Sequence, residues 1–515
     1  MMMHRLLRVY VVAVLVIGLV TQATPAPAGP AGPATTTVTL ALFADPISFD
    51  PHRSNDGPSN MMWHQLYNTL VDRNDKGEIV PALAEKWQRV GDRTWRFTLR
   101  RGVKFHDGSE VTADDVKFSL ERLINPATRS PAAFLLTVLE RVDVESRYDV
   151  RLVLKNPFAP LLFHLMHKPT SIVPAAVVRL NPDEFARRPV GTGPFKFGSY
   201  VRGDRVELVR NPDYWGGAPK LERVVVRIVP DAATAIAELE SGGVAGVFNV
   251  PPHEVARLQR NRTLTVLVVP SHRITALVLN MDRPPFNDRR VRLAASYAID
   301  RKATLNGVEA GLGVLASGPL SPLVFGHNDK LAPLPRDLTK ARQLLAEAGH
   351  AGGLKTEMLV WNLPATVKLA EVTQAQFREA GIDVGIKVTE FGAALREQYA
   401  GNFTISTMLW GTVSLDGDYS MYALFHSDSF GAPGNWGKYS NAEVDRLIST
   451  GRTNGNPVVR RQAYYRAQEI IANDAPWIFL YHPSAVYALR TELKDVSIPP
   501  QGYVFFDLTK GYLGR

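Results

Sequence analysis

Cysteine is absent from the 515 residues of this sequence. Its absence excludes disulfide bonds, a thiol nucleophile, cysteine-based zinc sites and a lipid-modified N-terminal cysteine. Stability therefore has to come from an ordinary hydrophobic core, for which a chain with 45% hydrophobic residues is well supplied.

Sequence motifs of the common enzyme classes are also missing. There is no Gly-x4-Gly-Lys-Ser/Thr phosphate loop, no His-Glu-x-x-His and no Gly-x-Ser-x-Gly elbow. A dinucleotide loop fails as well, because Ala316 stands where the third glycine after Gly311 and Gly313 is needed. The sequence therefore predicts no catalytic residues, no metal ligands and no cofactor.

The positive charge is scattered along the chain. The formal net charge is +9, and no run of five or more basic residues occurs. Because nucleic-acid binding proteins concentrate basic residues into patches or stripes, we expect no nucleic-acid partner.

The N-terminus has the pattern of a secretory signal. Arg5 and Arg8 precede the apolar stretch 9–20, which is shorter than the roughly 20 residues needed to cross a bilayer. We predict a signal peptide at residues 1–28, with cleavage near residue 23 or 28, followed by a disordered Ala/Pro leader at 29–36. The alternative is an uncleaved membrane anchor.

Strand and helix patterns then alternate. Leu221 to Val229 is rich in β-branched residues, and Asp231 can cap a helix that Gly242 ends. Apolar residues alternate again from Ile382 to Val388, after a helix that ends at Gly381. This rhythm predicts an α/β fold with mixed sheets.

The segment Val103 to Leu123 carries the most information. It predicts a turn at His106–Gly108, a cap at Thr112 supported by Asp115, and an amphipathic helix after it.

Together with its flanking motifs, this segment resembles the signature of the extracytoplasmic solute-binding proteins of family 5, which serve peptide and nickel ABC importers. The similarity follows family order over nearly the whole chain. The matching motifs are Asp45–Pro51, Ile79–Trp87, Pro189–Phe195, Arg210–Trp215, Pro285–Phe286, Ala298–Arg301 and Ala341–Gly349.

This resemblance implies a bilobal periplasmic-binding-protein fold, with two α/β lobes of mixed sheets, a two-segment hinge and an extra subdomain on lobe I. Carried onto this chain, the hinge crossings fall near Met281–Pro284 and Tyr481–Pro483. Lobe I then takes 36–78, 186–283 and 483–515, the extra subdomain takes 79–185, and lobe II takes 284–482.

The segment from Thr407 to Tyr419 is the best candidate for ligand contact. An apolar strand ends at Trp410, Gly411 and Thr412 and then opens into a loop with Asp416 and Asp418. An aromatic face can pack ligand side chains, glycine allows close approach, and a carboxylate can bind an amine. The alternative is a core tryptophan before a solvated loop.

One position departs from the family. The resemblance implies an Asp three residues after this tryptophan, which holds a peptide's ammonium in peptide-binding members, but Val413 stands there. Either Asp416 substitutes for it, or the ligand lacks an amine. Weaker candidates for the cleft are Asn280, Met281, Tyr439 and Tyr481. His164 and His167 would share a helix face, and packing is favoured over metal binding.

The function implied is that of the substrate-binding component of an ABC importer, not an enzyme. We expect a periplasmic monomer, not a lipoprotein, that captures a peptide or peptide-like solute by hinge closure. Its partner would be an inner-membrane permease with ATPase subunits. The alternatives are a non-peptide ligand, such as an opine, a sugar derivative or a nickel chelate, or an exported bilobal hydrolase.

Overall fold

The computed structural model describes residues 36–74, 77–431, 434–498 and 506–514. The predicted signal peptide and nearly all of the predicted leader lie outside these residues. The strands are β1 (Thr37–Leu42), β2 (Val71–Arg73), β3 (Ile79–Pro81), β4 (Ala84–Gly91), β5 (Thr94–Leu99), β6 (Leu139–Val144), β7 (Asp149–Leu154), β8 (Phe195–Val201), β9 (Arg205–Arg210), β10 (Arg223–Ile228), β11 (Gly246–Phe248), β12 (Leu264–Pro270), β13 (Arg273–Leu279), β14 (Gly313–Leu315), β15 (Leu354–Trp361), β16 (Ile382–Thr389), β17 (Ile405–Gly411), β18 (Trp477–Arg490), β19 (Leu493–Lys494) and β20 (Tyr512–Leu513).

The helices alternate with these strands along the chain. They are α1 (Gly57–Leu66), α2 (Ala113–Ile124), α3 (Leu161–Leu165), α4 (Ala175–Leu180), α5 (Pro182–Arg187), α6 (Ala232–Ser241), α7 (Val255–Leu258), α8 (Arg289–Ala298), α9 (Arg301–Glu309), α10 (Leu338–Glu347), α11 (Pro364–Glu379), α12 (Phe391–Ala400), α13 (Gly417–Phe425), α14 (Ala442–Thr453) and α15 (Pro457–Asp474). None of the helices in the described ranges is both long enough and apolar enough to cross a membrane.

Local chemistry explains where many helices begin. The carboxylate of Asp115 accepts the backbone N–H of Thr112 at 3.0 Å, which confirms the cap predicted for α2. Asp231 caps α6, and Gly242 ends it with φ of 88°. Both outcomes follow from residues within one turn of the helix end, which is why the sequence alone predicted them.

The main sheet has two halves that share β18. Its order is β16-β15-β17-β13-β18-β11-β1-β10-β9-β8, and β12 and β14 also pair with β18. We call β1 with β8–β12 the first half and β13–β17 the second half. The N-terminal part of β18 pairs with β13 and its C-terminal part with β12 and β11, so this strand runs from one half into the other.

Two chain segments join the halves, and they lie side by side. The first runs from Pro270, the last residue of β12, to Arg273, the first of β13. The second is the part of β18 around Pro483, whose carbonyl accepts a hydrogen bond from the Ser271 hydroxyl at 2.5 Å. The segment 281–284 follows β13 and lies inside the second half, where the Met281 N–H donates to the Gly437 carbonyl.

A separate antiparallel sheet, in the order β4-β5-β7-β6, packs with α2 around its own core. We call this region the small-sheet region. On β5, Phe97 and Leu99 are buried and point into this core. Tyr419 belongs to the same hydrophobic cluster, and Trp410 and Val413 pack against it, so the second half contacts the small-sheet region at this point.

Candidate functional site

The predicted ligand segment forms the turn between β17 and α13. β17 ends at Gly411, which pairs with Arg273 at the start of β13, and α13 begins after Asp416. The Thr412 N–H donates to the carbonyl of His272 at 3.1 Å. The segment therefore lies beside the passage from β12 to β13, at the junction of the two halves.

Trp410 lies between the second half and the small-sheet region. Its Nε1–H donates to Ser420 Oγ at 3.0 Å, and its ring centroid is 5.8 Å from that of Tyr419. Thr412 Oγ1 is 2.6 Å from the same serine oxygen and is buried. These hydrogen bonds fix the tryptophan ring in place, so its half-exposed face is available as a rigid packing surface.

The carboxylate of Asp416 is engaged within the protein. It is fully buried, accepts the Asp418 N–H at 2.9 Å as the cap of α13, and accepts two hydrogen bonds from Arg460 Nη2 at 2.7 and 2.8 Å. Burial raises the pKa of Asp416, and the charge of Arg460 opposes that shift. This geometry makes the carboxylate a structural partner of Arg460.

Asp418 is likewise buried and paired. Arg452 Nη1 lies 3.4 Å from each of its carboxylate oxygens, and His164 Nε2 lies 3.6 Å from Oδ2. Burial raises the pKa of Asp418, and Arg452 is the largest opposing influence. Because His164 belongs to the small-sheet region, this carboxylate lies at the contact between the two parts of the molecule.

Further contacts join the second half to the rest of the molecule. Arg73 Nη1 donates to the Val413 carbonyl at 3.2 Å. The N–H of Ala159 donates to the Arg452 carbonyl at 2.9 Å, and the guanidinium of Arg452 lies 5.0 Å from the ring centroid of Phe158. The structure therefore represents a conformation in which the second half and the rest of the molecule are in contact around the predicted ligand segment.

Asn280 and Met281 lie at the other end of β13 from this segment. The Asn280 amide donates to the carbonyls of Gly401 and Phe403 at 2.9 and 3.0 Å, which holds the turn before β17. The structure does not bring this pair together with Trp410, and their contact with ligand stays a prediction.

The two predicted tyrosines are buried and have partners of their own. The Tyr439 hydroxyl donates to Asp474 Oδ2 at 2.7 Å, and the Tyr481 hydroxyl lies 3.4 Å from Glu309 Oε1. Tyr481 pairs with Thr275 near the start of β13, closer along the strand to the Trp410 segment than Asn280 is. A ligand contact for either tyrosine also stays a prediction.

A group of basic side chains faces the predicted segment from the other side. We define the buried basic cluster as Arg73, His164, His167, Lys168 and His272. Each of the other four members lowers the pKa of His167 electrostatically, so each lies close enough to His167 to act on it.

Two members contact the loop before α1, helix α13 and strand β2. His167 Nε2 lies 3.0 Å from Asn55 Oδ1, and its ring centroid is 6.5 Å from that of Tyr419. Lys168 is only 2% exposed, and its Nζ lies 3.1 Å from Asp72 Oδ2.

His272 contacts the predicted segment directly. A Cβ on Gly411 would come within 2.6 Å of His272 Cε1, so the imidazole lies flat against that glycine. His272 is 3% exposed, and among the described residues neither of its ring nitrogens has a hydrogen-bond partner.

Burial and neighbouring cations both lower the pKa values of the histidines in this cluster. Burial lowers the pKa of His272 to about 3 and that of His164 to about 4. Burial also lowers the pKa of Arg73 to about 10. At neutral pH the cluster therefore contains neutral imidazoles beside two cations, Arg73 and Lys168.

Sequence reasoning did not predict this cluster because its members come from separate segments. His164 and His167 were expected to share a helix face, but α3 ends at Leu165 and His167 lies beyond it. In the described ranges no group of three or more His, Cys, Asp or Glu side chains is placed to hold a metal ion.

His106 has a structural role, since its Nε2 lies 3.1 Å from the Gly193 carbonyl.

The sequence matches one protein family over most of its length. The profile described as "bacterial extracellular solute-binding proteins, family 5 Middle" matches residues 78–432. Among curated proteins, the chain is 30% identical over 496 residues to heme-binding protein A of Haemophilus influenzae, covering 90% of each sequence.

Solved structures have the same fold. The periplasmic binding protein DppA of Helicobacter pylori, in complex with the peptide STSA, aligns with a TM-score of 0.83 and 30% identity over 93% of this chain and 98% of that one. MoaA of A. tumefaciens R10, in complex with mannopinic acid, aligns with a TM-score of 0.83 and 26% identity over 94% of this chain and all of that one.

Proposed function

The chain belongs to family 5 of the bacterial extracellular solute-binding proteins, and from this premise we propose that it captures a peptide or peptide-like solute between the two halves of its fold. The chain is the substrate-binding component of an ABC importer, as its relatives are. Captured solute would then be delivered to an inner-membrane permease.

The contact between the two sides around the Trp410 segment is the observation that carries this proposal. A hydrogen bond joins Arg73 to Val413, and another joins Ala159 to Arg452. Groups far apart in sequence enclose one region, and within the described residues the halves are connected by two adjacent chain segments, at Ser271 and Pro483. Rotation about two such segments is how hinge-closing binding proteins open and close.

We propose that the lobes divide at these segments. Lobe I then ends near Pro270 and not near Arg283, and β13 belongs to lobe II with its partner β17. The second crossing stays at Tyr481–Pro483, and the extra subdomain stays at residues 79–185.

Peptide-like ligands are the first choice because of what similar proteins bind. DppA of Helicobacter pylori was solved with a peptide, and an Escherichia coli relative at 29% identity is named a probable D,D-dipeptide-binding periplasmic protein. The non-peptide alternative is favoured by Val413 and by MoaA, which was solved with mannopinic acid.

The proposal includes an exported monomer that binds without transforming its ligand. The basic and apolar N-terminal segment supports export to the periplasm, and the lack of cysteine supports a protein that is not a lipoprotein. A hydrolase on this scaffold would convert a bound peptide, so the mass of a peptide incubated with the protein should remain unchanged.

Native mass spectrometry of the protein purified from periplasm tests the ligand. We expect a small-molecule adduct that is released on denaturation. Added back to stripped protein, the recovered compound should reduce the radius of gyration in small-angle scattering. It should also stabilise the fold by about 2.7 kcal/mol at a hundredfold excess over Kd. A tightly bound compound that causes no compaction would contradict hinge closure.

A further inference from the structure

The two carboxylates of the predicted ligand segment are engaged by arginines. Asp416 accepts both of its short contacts from Arg460, and Asp418 is paired with Arg452. Withdrawing either acid to bind a ligand ammonium would leave a buried arginine unpaired, which is strongly unfavourable.

The position where a peptide-binding relative would anchor an amine offers no charge. Val413 packs its side chain against the core of the small-sheet region, and its carbonyl accepts the hydrogen bond from Arg73. A ligand ammonium placed there would meet an apolar side chain and a guanidinium. The local chemistry disfavours a cation.

The buried basic cluster, which faces this segment, has cations that suit an anion. Lys168 is a buried cation and Arg73 is a partly buried one, and Asp72 is the carboxylate that contacts Lys168. Of the four groups that lower the pKa of His167, Arg73 and Lys168 are cations at neutral pH, and His164 and His272 are neutral imidazoles. An anion bound here would interact with a positive potential that is weakly screened, because the groups are buried.

His272 is a second, independent indication that a ligand carboxylate binds at this cluster. Its imidazole is buried against Gly411, and both ring nitrogens lack a partner among the described residues. A buried polar group without a hydrogen bond is costly, and such groups in native proteins usually have a partner. A neutral imidazole N–H can donate to a carboxylate oxygen.

We propose that the ligand of this protein bears a carboxylate, held by the buried basic cluster with Lys168 and Arg73 as its charges, and has no free ammonium facing Val413. The inference rests on the proposed function and specifies its substrate class. N-blocked peptides and amine-poor carboxylic acids both have this chemistry.

Four dipeptide probes test the inference by isothermal titration calorimetry on the full chain. They are Ala-Leu, N-acetyl-Ala-Leu, Ala-Leu amide and N-acetyl-Ala-Leu amide. Removing the carboxylate by amidation should weaken binding by about tenfold or more, because a charge-assisted hydrogen bond is lost. Removing the ammonium by acetylation should change the affinity by less than about threefold.

A pair of variants locates the effect. Lys168→Gln should remove most of the preference for free carboxylate over amide. Lys117→Gln, which alters an exposed lysine paired with Glu121 on α2, should leave the preference unchanged. Circular dichroism checks that both variants fold. The ratio of the affinities for the free-carboxylate and the amidated dipeptide is then compared within each variant.

The compound released from periplasmic protein gives an independent readout. An amine-reactive label should leave its mass unchanged, and a carboxylate-reactive label should shift it. A released compound that takes the amine label and has no carboxylate would overturn the inference and leave the proposed function standing. The inference would also be overturned if acetylation of the dipeptide abolished binding while amidation did not. If the protein releases no compound and none of the four probes binds, both proposals fall.

Discussion

At the scale of single residues, the acids near Trp410 illustrate how burial changes a role. Asp416 and Asp418 were expected to contact ligand because a carboxylate can accept a charge-assisted hydrogen bond from a ligand amine. The structure places both below the surface with arginine partners, where a carboxylate contributes to the fold. The prediction that Val413 stands where peptide-binding members have an Asp then becomes the one to test.

Val413→Asp should create the missing amine anchor. We expect about tenfold tighter binding of Ala-Leu, since a carboxylate–ammonium contact in a closed cleft is a charge-assisted hydrogen bond. N-acetyl-Ala-Leu should gain nothing, which makes it the matched control in calorimetry. Equal gains for both peptides, or none for either, would show that position 413 does not face the ligand amine.

Arg460→Leu should destabilise the fold by about 3–5 kcal/mol, because Asp416 would remain buried without its partner. Urea unfolding at pH 7 measures the change. Arg466→Leu is the control, since its pairs with Glu443 and Glu469 are exposed and such pairs contribute about 0–1 kcal/mol. Similar losses in both variants would argue against a special role for the buried pair.

At the scale of elements, helices and strands with strong local signals were predicted from sequence. Asp115 and Gly242 act through hydrogen bonds or backbone angles within a few residues, so the sequence contains the whole interaction. The strand β18 is different. Its fourteen residues pair with β13 in one half and with β12 in the other, and nothing local in its sequence indicates that division.

Ser271→Ala should weaken the connection between the halves. Its hydroxyl donates to the buried Pro483 carbonyl, and losing that donor leaves the carbonyl unsatisfied at a cost of about 1–3 kcal/mol. Ser199→Ala, on the exposed strand β8, should cost far less. Unfolding free energies test stability, and small-angle scattering of the unliganded protein should show a larger radius of gyration for the Ser271 variant alone.

At the scale of the whole molecule, several histidines are buried in neutral form. Burial lowers the pKa of His52, His106, His164 and His482 to about 4 and that of His272 to about 3. In the unfolded chain the same groups take up protons near pH 6.5, so between about pH 6.5 and 4 the unfolded state binds more protons.

The stability of the protein should therefore fall as the pH decreases from 7 to 5, by about 1–2 kcal/mol for each such histidine. Urea unfolding at the two pH values measures the loss. Asp416 and Asp418, whose pKa values burial raises, act in the opposite sense toward the acid end of the range. His272→Gln should reduce the pH dependence by one histidine's share, and an unchanged dependence would contradict a buried neutral His272.

Sequence alone determined the α/β class, the family and the caps and turns, because periodicity, helix ends and ordered motifs are properties of neighbouring residues. It also predicted Trp410 to Thr412 as a ligand contact, and the structure places this segment beside the junction of the two halves. Tertiary structure alone decided which groups meet there. Arg460 and Asp416 are 44 residues apart and His272 is about a hundred residues from His167, so no spacing rule relates them. Burial, which sets their pKa values and pairing, exists only once the chain has folded.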